Sequence, residues 1–214
     1  VDGEGIAVKG SQVGYNGAPA GYTRDPQENI NYVSAHDNET LFDAIAYKAP
    51  LATSMAGRVR MQNLAGDLVM LGQGVPFFDG GIELLRSKSM DRDSYNSGDW
   101  FNWIDFTFDD NGWGRGLPIA DKNQSNWPLM ADLLARPELE PSQADILAAQ
   151  AHFIEMLQIR KSSPLFRLQT GEQIIDRLDF HNTGPDQLPG LIVMSIADKP
   201  GEDLDPKSDG LIVL

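Results

Sequence analysis

Hydrophobic and polar positions alternate over residues 30–33, where Ile30, Tyr32 and Val33 form a β-prone run. That run predicts a short strand ending at Ser34 or Ala35, which leaves His36, Asp37 and Asn38 at its C-terminal tip. A short helix is expected near Leu41–Tyr47. From Met55 to Leu71 the apolar residues Met61, Leu64, Ala65, Leu68 and Leu71 recur at the spacing of one helix face. Gly72 and Gly74 then stop that helix. The run VPFFDGG at 75–81 is largely apolar, the texture of a strand buried on both faces in a parallel sheet. Strand, loop, helix, strand is the order of a βαβ unit, which puts functional residues on the loops at the C-terminal strand ends.

Residues 82–141 hold no long periodic segment but are dense in Asp, Asn, Ser, Gly and Trp, and a loop this long inside a domain is usually functional. The next helix has a sharp start, because Ser142 and Asp145 form a capping box. Leu147, Phe153, Ile154 and Leu157 supply its expected apolar face, Arg160 and Lys161 suit its negative end, and Ser163 and Pro164 close it. From Leu165 onward the texture changes to β-prone runs, QIIDRLDFHN and GLIVMSI, separated by polar turns. These predict an antiparallel β-domain whose last run, GLIVL, is expected to be cut off in mid-strand. Residues 1–28, with turn formers at nearly every third position, read as a surface loop.

Composition narrows the class. A chain of 214 residues with 41% hydrophobic content can bury a sizeable core. It has no run of 18 apolar residues, and Val1–Glu4 has neither the basic nor the apolar part of a signal peptide, so no membrane span is expected. With no initiator Met at position 1, the true N-terminus is expected to lie elsewhere. A formal net charge of −14 repels phosphate backbones and argues against nucleic acid as a partner, leaving neutral or cationic ligands open. Without cysteine there is no disulfide, thiolate nucleophile or Cys-ligated zinc. Four Trp, five Tyr and 21 Gly are a loose hint of carbohydrate contact.

Two readings stand open for Asp37. It or Asn38 caps the helix that follows, or it is a carboxylate presented at a strand end, where it would stabilise developing positive charge. Asp91, Asp93, Asn96 and Asp99 invite comparison with a calcium loop. That pattern fails, because Tyr95 takes the third ligand position and Asn102 stands where a glutamate is needed. Solvated turns are the expected alternative, and no metal site is assigned. His152, within a helix, and His181, in a strand-like run, have no apparent carboxylate neighbour and read as structural. Most of Trp100, Trp103, Trp113 and Trp127 are expected in the core.

The motifs are more specific than composition. YVSAHDN, followed some forty residues later by GQGVPFFDGGIELLRSKS, resembles the last conserved regions of the α-amylase superfamily barrel. LLRSKSMDRDSYNSGDWFN, RKSSPLFRL, FHNTGPDQLPGLIVMSI and the earlier YNGAPAGY resemble the pullulanase and limit-dextrinase branch in particular. The resemblance runs from about Gly14 to the end. It implies an α/β plus β architecture: the last two βα units of a (β/α)8 barrel over residues 1–163, then the start of an incomplete antiparallel β-sandwich over 164–214. It implies a starch-debranching hydrolase that cleaves α-1,6-glucosidic links in pullulan, amylopectin or limit dextrins with retention. By the same resemblance Asp37 matches the transition-state-stabilising carboxylate and His36 the histidine that binds the same sugar. Arg92 matches a residue holding the adjoining glucosyl unit, with Asp93 and Asn96 in support. Glu83 matches a strand-eight acid read as structural support. Asp79, Gly80 and Ser125 depart from the pattern of relatives.

Retaining glycosidases need two carboxyl groups about 5 Å apart, as nucleophile and general acid/base. The superfamily supplies them from the fourth and fifth barrel strands, and neither motif occurs in this sequence. A complete barrel takes about 250 residues. The chain is therefore expected to be the C-terminal part of a longer enzyme, partnered by the rest of the barrel and by an α-glucan, and inactive and poorly stable alone. No cofactor is expected in this chain, which leaves calcium to the full-length enzyme. Signals for localisation would lie upstream. A non-catalytic carbohydrate-binding module and an isoamylase-like hydrolase are the rival readings.

Overall fold

The computed structural model describes residues 8–198 and 201–214. The first seven residues of the expected loop over 1–28, and Lys199 and Pro200 in the turn after GLIVMSI, lie outside the described residues. In chain order the strands are β1 (Gly14–Tyr15), β2 (Ala18–Pro19), β3 (Ile30–Asn31), β4 (Val75–Pro76), β5 (Leu178–Phe180), β6 (Met194–Ala197) and β7 (Gly210–Val213). The helices are α1 (Leu41–Lys48), α2 (Met55–Leu71), α3 (Asp99–Asn102), α4 (Ala120–Asn123), α5 (Trp127–Leu134), α6 (Gln143–Ser162) and α7 (Gly171–Arg177). The chain divides into two compact units, one of residues 31–71 and 76–158, the other of residues up to 30, 72–75 and 159–214.

In the first of these units, Phe42 and Ala46 of α1, Val59 of α2, Leu84, Leu85 and Met90 of the following loop, and Met130 and Leu133 of α5 pack into one core. Helix α1 starts where Thr40 Oγ1 accepts the Asp43 N–H at 3.1 Å, and it ends before Pro50, which disfavours helix at the residue before it. Helix α2 has the expected bounds but not the expected face. Met61, Leu64 and Leu68 are 41–60% exposed, whereas Arg58, Val59, Gln62, Val69 and Met70 are buried. The inward face is half polar because its side-chain donors find carbonyls there. Arg58 donates to the carbonyls of Thr53, Ile45 and Pro50, and Gln62 donates to that of Ile82.

The same displacement occurs in α6. The Ser142–Asp145 capping box forms, with the Ser142 N–H donating to Asp145 Oδ2 at 2.9 Å. Yet Ile146, Ala149 and Met156 are buried, while Leu147, Ile154 and Leu157 face outward. Phe153 meets Phe78 edge-on at 4.9 Å between ring centroids. The strands expected over 30–35 and 75–81 shrink to β3 and β4, and Tyr32, Val33, Val75 and Phe77 are exposed. A strand lasts only as far as its ladder bonds, and here they are Asn29 O to Val75 N in one unit and Asn31 O to Phe77 N in the other.

In the unit that contains 159–214, β5, β6 and β7 form one antiparallel sheet with Leu178 opposite Ile196 and Ser195 opposite Ile212. Met194 and Ile196 point into a core with Leu165, Phe166 and Leu168. The antiparallel β-rich texture is as expected, and among the described residues it is this single three-stranded sheet. QIIDR is not a strand: Thr170 Oγ1 accepts the Gln173 N–H and Gln173 Oε1 accepts the Thr170 N–H, a reciprocal cap that makes 171–177 helical against its β-prone composition. YNGA within the expected loop is a tight hairpin joining β1 to β2, with Asn16 and Gly17 at positive φ as a two-residue turn of this hand requires.

Candidate functional site

Beyond β3 the backbone turns through His36, Asp37 and Asn38 before α1 begins. Asn38 adopts the left-handed conformation, φ 62°, which asparagine tolerates better than most residues. The cap of α1 is Thr40, so neither Asp37 nor Asn38 has that task. The His36 and Asp37 side chains are 85% and 75% exposed and stand 3.7 Å apart, Nε2 to Oδ1.

The loop after β4 comes back to this turn. Arg92 Nε lies 3.4 Å from Asn38 Oδ1, and Asp93 pairs with Lys122 at 3.6 Å. Asp37, Asn38, Arg92, Asp93 and Lys122 together line an open cleft of about 420 Å³. His36 flanks the turn without lining that cleft. Asn96 is exposed further along the same loop and does not line it either.

Asp91 explains why this loop has a defined shape. It is fully buried and accepts from the Asp93 N–H at 2.9 Å, Ser97 Oγ at 2.5 Å and Asn123 Nδ2 at 2.9 Å. Asn123 Oδ1 in turn accepts the Arg92 N–H at 3.0 Å. The solvated turns expected of this Asp-rich segment are therefore organised about an acid that solvent does not reach. Asparagine and aspartate suit such work because one short side chain satisfies several nearby donors.

Lys88 lies beneath the turn and is 2% exposed. Its ammonium donates to the carbonyls of His36 at 3.1 Å and Asn38 at 2.9 Å. Asp43, also fully buried, accepts from Ser87 Oγ at 2.5 Å and from the Lys88 N–H at 2.9 Å. Burial is the largest influence on both groups: it pushes the Asp43 carboxyl up to about 6, against the lowering by its hydrogen bonds, and holds the Lys88 ammonium below the usual lysine range.

Two further clusters differ from expectation. His152 Nε2 is 2.8 Å from Asp67, so this histidine does have a carboxylate partner, in an open groove of about 610 Å³ beside Arg60, Met61 and Leu64. His181 instead faces Ser195 Oγ at 2.6 Å. Trp113 is buried and Trp127 packs against the core, but Trp100 and Trp103 are exposed. The Arg115 guanidinium lies 5.6 and 4.5 Å from their ring centroids. Among the described residues no group of three or more His, Asp or Glu is placed to hold a metal ion, and no helix is long and apolar enough to cross a membrane.

Residues 108–214 match the family model of the pullulanase-type α-1,6-glucosidases, C-terminal region. The chain belongs to the pullulanase-type α-1,6-glucosidase family. It is 54% identical over 196 residues to chloroplastic pullulanase 1 of Arabidopsis thaliana, covering 91% of this chain and 20% of that protein. It is 47% identical over 215 residues to the pullulanase of Klebsiella pneumoniae, covering 100% of this chain and 20% of that one. The chain thus spans about a fifth of the length of these curated relatives. Crystal structures of the Klebsiella pneumoniae pullulanase match it at TM-score 0.90. The apo form is 46% identical over 95% of this chain and 22% of that one, and the form complexed with maltotriose is 45% identical over 96% and 20%.

The pullulanase motifs in the sequence pointed to Asp37, His36, Arg92, Asp93 and Asn96, and the structure gathers Asp37, Arg92 and Asp93 at one cleft. Sequence reasoning passed over Lys88, Lys122 and Asn123, and weighed Asp91 only as part of a failed calcium loop. Only the position of Lys88 inside LLRSKSM, a charge set among residues that fold into the core, carried a signal.

Proposed function

We propose that this chain is the C-terminal part of a retaining glycoside hydrolase that cleaves α-1,6-glucosidic branch links in pullulan, amylopectin or limit dextrins. Residues 1–163 would complete a (β/α)8 barrel and 164–214 begin a C-terminal β-domain. The in-step backbone bonds from 29 to 75 and from 31 to 77, typical of parallel strands, support the first assignment, and the antiparallel β5–β7 sheet supports the second.

The observation that carries the reading is the cleft where Asp37 and Asn38 meet Arg92 and Asp93. Cleavage of a glycosidic bond builds positive charge on the anomeric carbon and ring oxygen, and a nearby carboxylate lowers the energy of that charge. Asp37 has this role. His36, Arg92, Asp93 and Asn96 supply donors and acceptors for sugar hydroxyls. The covalent displacement and the protonation of the leaving oxygen need two other carboxyl groups, which belong to the upstream barrel strands. The likeness to a pullulanase crystallised with maltotriose supports an α-glucan as the ligand. The chemistry draws on carboxylates alone and asks no cofactor of this chain.

The test is Asp37→Asn in the full-length polypeptide, read as reducing sugar released from pullulan. A fall in kcat of about 100- to 1000-fold is expected from loss of a preorganised stabiliser. An unchanged kcat refutes the role of Asp37. Hydrolysis of pullulan by the 214 residues alone would refute the division of the carboxyl groups between this chain and an upstream one.

A further inference from the structure

A buried lysine that meets no carboxylate with its ammonium is costly, because taking the charge out of water is repaid only by good partners. Lys88 spends that charge on two carbonyls, those of the residues immediately before and after Asp37. With both flanking carbonyls held inward, the Asp37 side chain is left 75% exposed at the cleft. The lysine is itself fixed from its own backbone, through the Lys88 N–H bond to buried Asp43. The next two residues, Ser89 and Met90, both have left-handed φ values of 52° and 65°. Such conformations are strained for residues with a side chain and persist only where the surroundings over-determine them. Here Ser89 Oγ donates to Gly116 O at 2.7 Å, the Ser89 N–H donates to Ser87 Oγ at 2.9 Å, and Met90 is completely buried.

We propose that Lys88 is a positioning residue that clamps the backbone of the His36–Asp37–Asn38 turn and thereby sets where the Asp37 carboxylate stands. The inference rests on the reading of Asp37 given above. It adds that the carboxylate is aimed by a cation that never touches substrate, and that the strain at 89–90 keeps this cation under the turn.

The experiment is a double-mutant cycle in the full-length polypeptide with pullulan as substrate. Lys88→Met keeps the aliphatic stem and removes the donors, and it is measured alone and together with Asp37→Asn. If Lys88 acts through Asp37, Lys88→Met lowers kcat by about 100-fold, the effect of a misplacement of about 1 Å, while KM moves less than about threefold. The double variant is then no slower than Asp37→Asn alone. Deuterium uptake of the 33–40 segment rises in Lys88→Met, which locates the change at the turn. Should Lys88→Met fail to fold, Lys88→Arg enters the same cycle with the same expectation. Losses that multiply in the double variant, or a wild-type kcat in the single one, overturn the inference while Asp37 keeps its role. An Asp37→Asn variant that turns over at the wild-type rate overturns the reading of Asp37, and the clamp's function with it.

Discussion

Replacing Asp91 with alanine should loosen the loop that carries Arg92 and Asp93 without replacing any residue that lines the cleft. The carboxylate is fully buried and takes three donors, from the Asp93 amide, Ser97 and Asn123. Hydrogen bonds to a charged group are worth about 1.5–3 kcal/mol each. Their sum is an upper bound, because removing the acid also removes the cost of burying it. A net local loss of about 3 kcal/mol is the expected balance, and it should appear as exchange of the Arg92 and Asp93 amides more than about 100-fold faster. Asp91→Asn, which keeps the shape and one acceptor, should fall between the two. Hydrogen exchange read by mass spectrometry on the 91–99 segment of the full-length polypeptide measures this directly. Because Arg92 and Asp93 are assigned to sugar binding, KM for pullulan should rise about tenfold with a smaller change in kcat. Unchanged protection of these two amides in Asp91→Ala would show that the loop is held by something other than this acid, and would refute the reasoning.

Two further outcomes follow from buried groups around Lys88. Asp43 is raised to about 6 from 3.8, so the fold favours its protonated form: its contribution is fully present below about pH 4 and is lost as pH rises through about 6. The shift corresponds to about 3 kcal/mol, so α1 amide protection in the native protein should fall across that window and hold nearly level in Asp43→Asn, and parallel profiles would refute it. Gly112 has φ +92°, and a side-chain carbon there would come within 2.2 Å of the Ser87 carbonyl oxygen. Gly112→Ala should therefore cost more than about 3 kcal/mol and lower the yield of soluble full-length protein sharply, and wild-type yield and thermal stability would refute the close approach.

Helix ends were legible in this sequence and helix faces were not, for one physical reason. Ends depend on nearest neighbours such as Gly72 and the Ser142–Asp145 pair, which lie within a turn of the boundary they set, although at α1 the cap expected of Asp37 or Asn38 falls to Thr40. Faces depend on what lies opposite. Arg58 and Gln62 turn inward because carbonyls of Thr53, Ile45, Pro50 and Ile82 await them, which no hydropathy pattern encodes. The candidate site divides in the same way. Asp37 and His36 could be singled out because the motif is contiguous in sequence, even though β3 ends at Asn31, short of the strand end expected beside them. Asn123 and Lys88 act across 32 and 50 residues, and Asp67 meets His152 across 85. QIIDR misled because its β-branched residues outvoted a cap that depends on Thr170 and Gln173 alone.

The unequal burial of the four tryptophans gives the protein an optical property. Trp113 is buried in the core and Trp127 is half-buried against it, while Trp100 and Trp103 meet solvent, so emission divides into one dry, one partly shielded and two wet tryptophans. The wet pair follows directly on the segment that carries Arg92, Asp93 and Asn96, and is tied to it by Asn102, whose amide donates to the carbonyls of Ser94 and Gly98. A neutral quencher such as acrylamide should reach that pair most readily and Trp113 least. Its quenching would then report the state of the loop in real time, with no turnover and no added label.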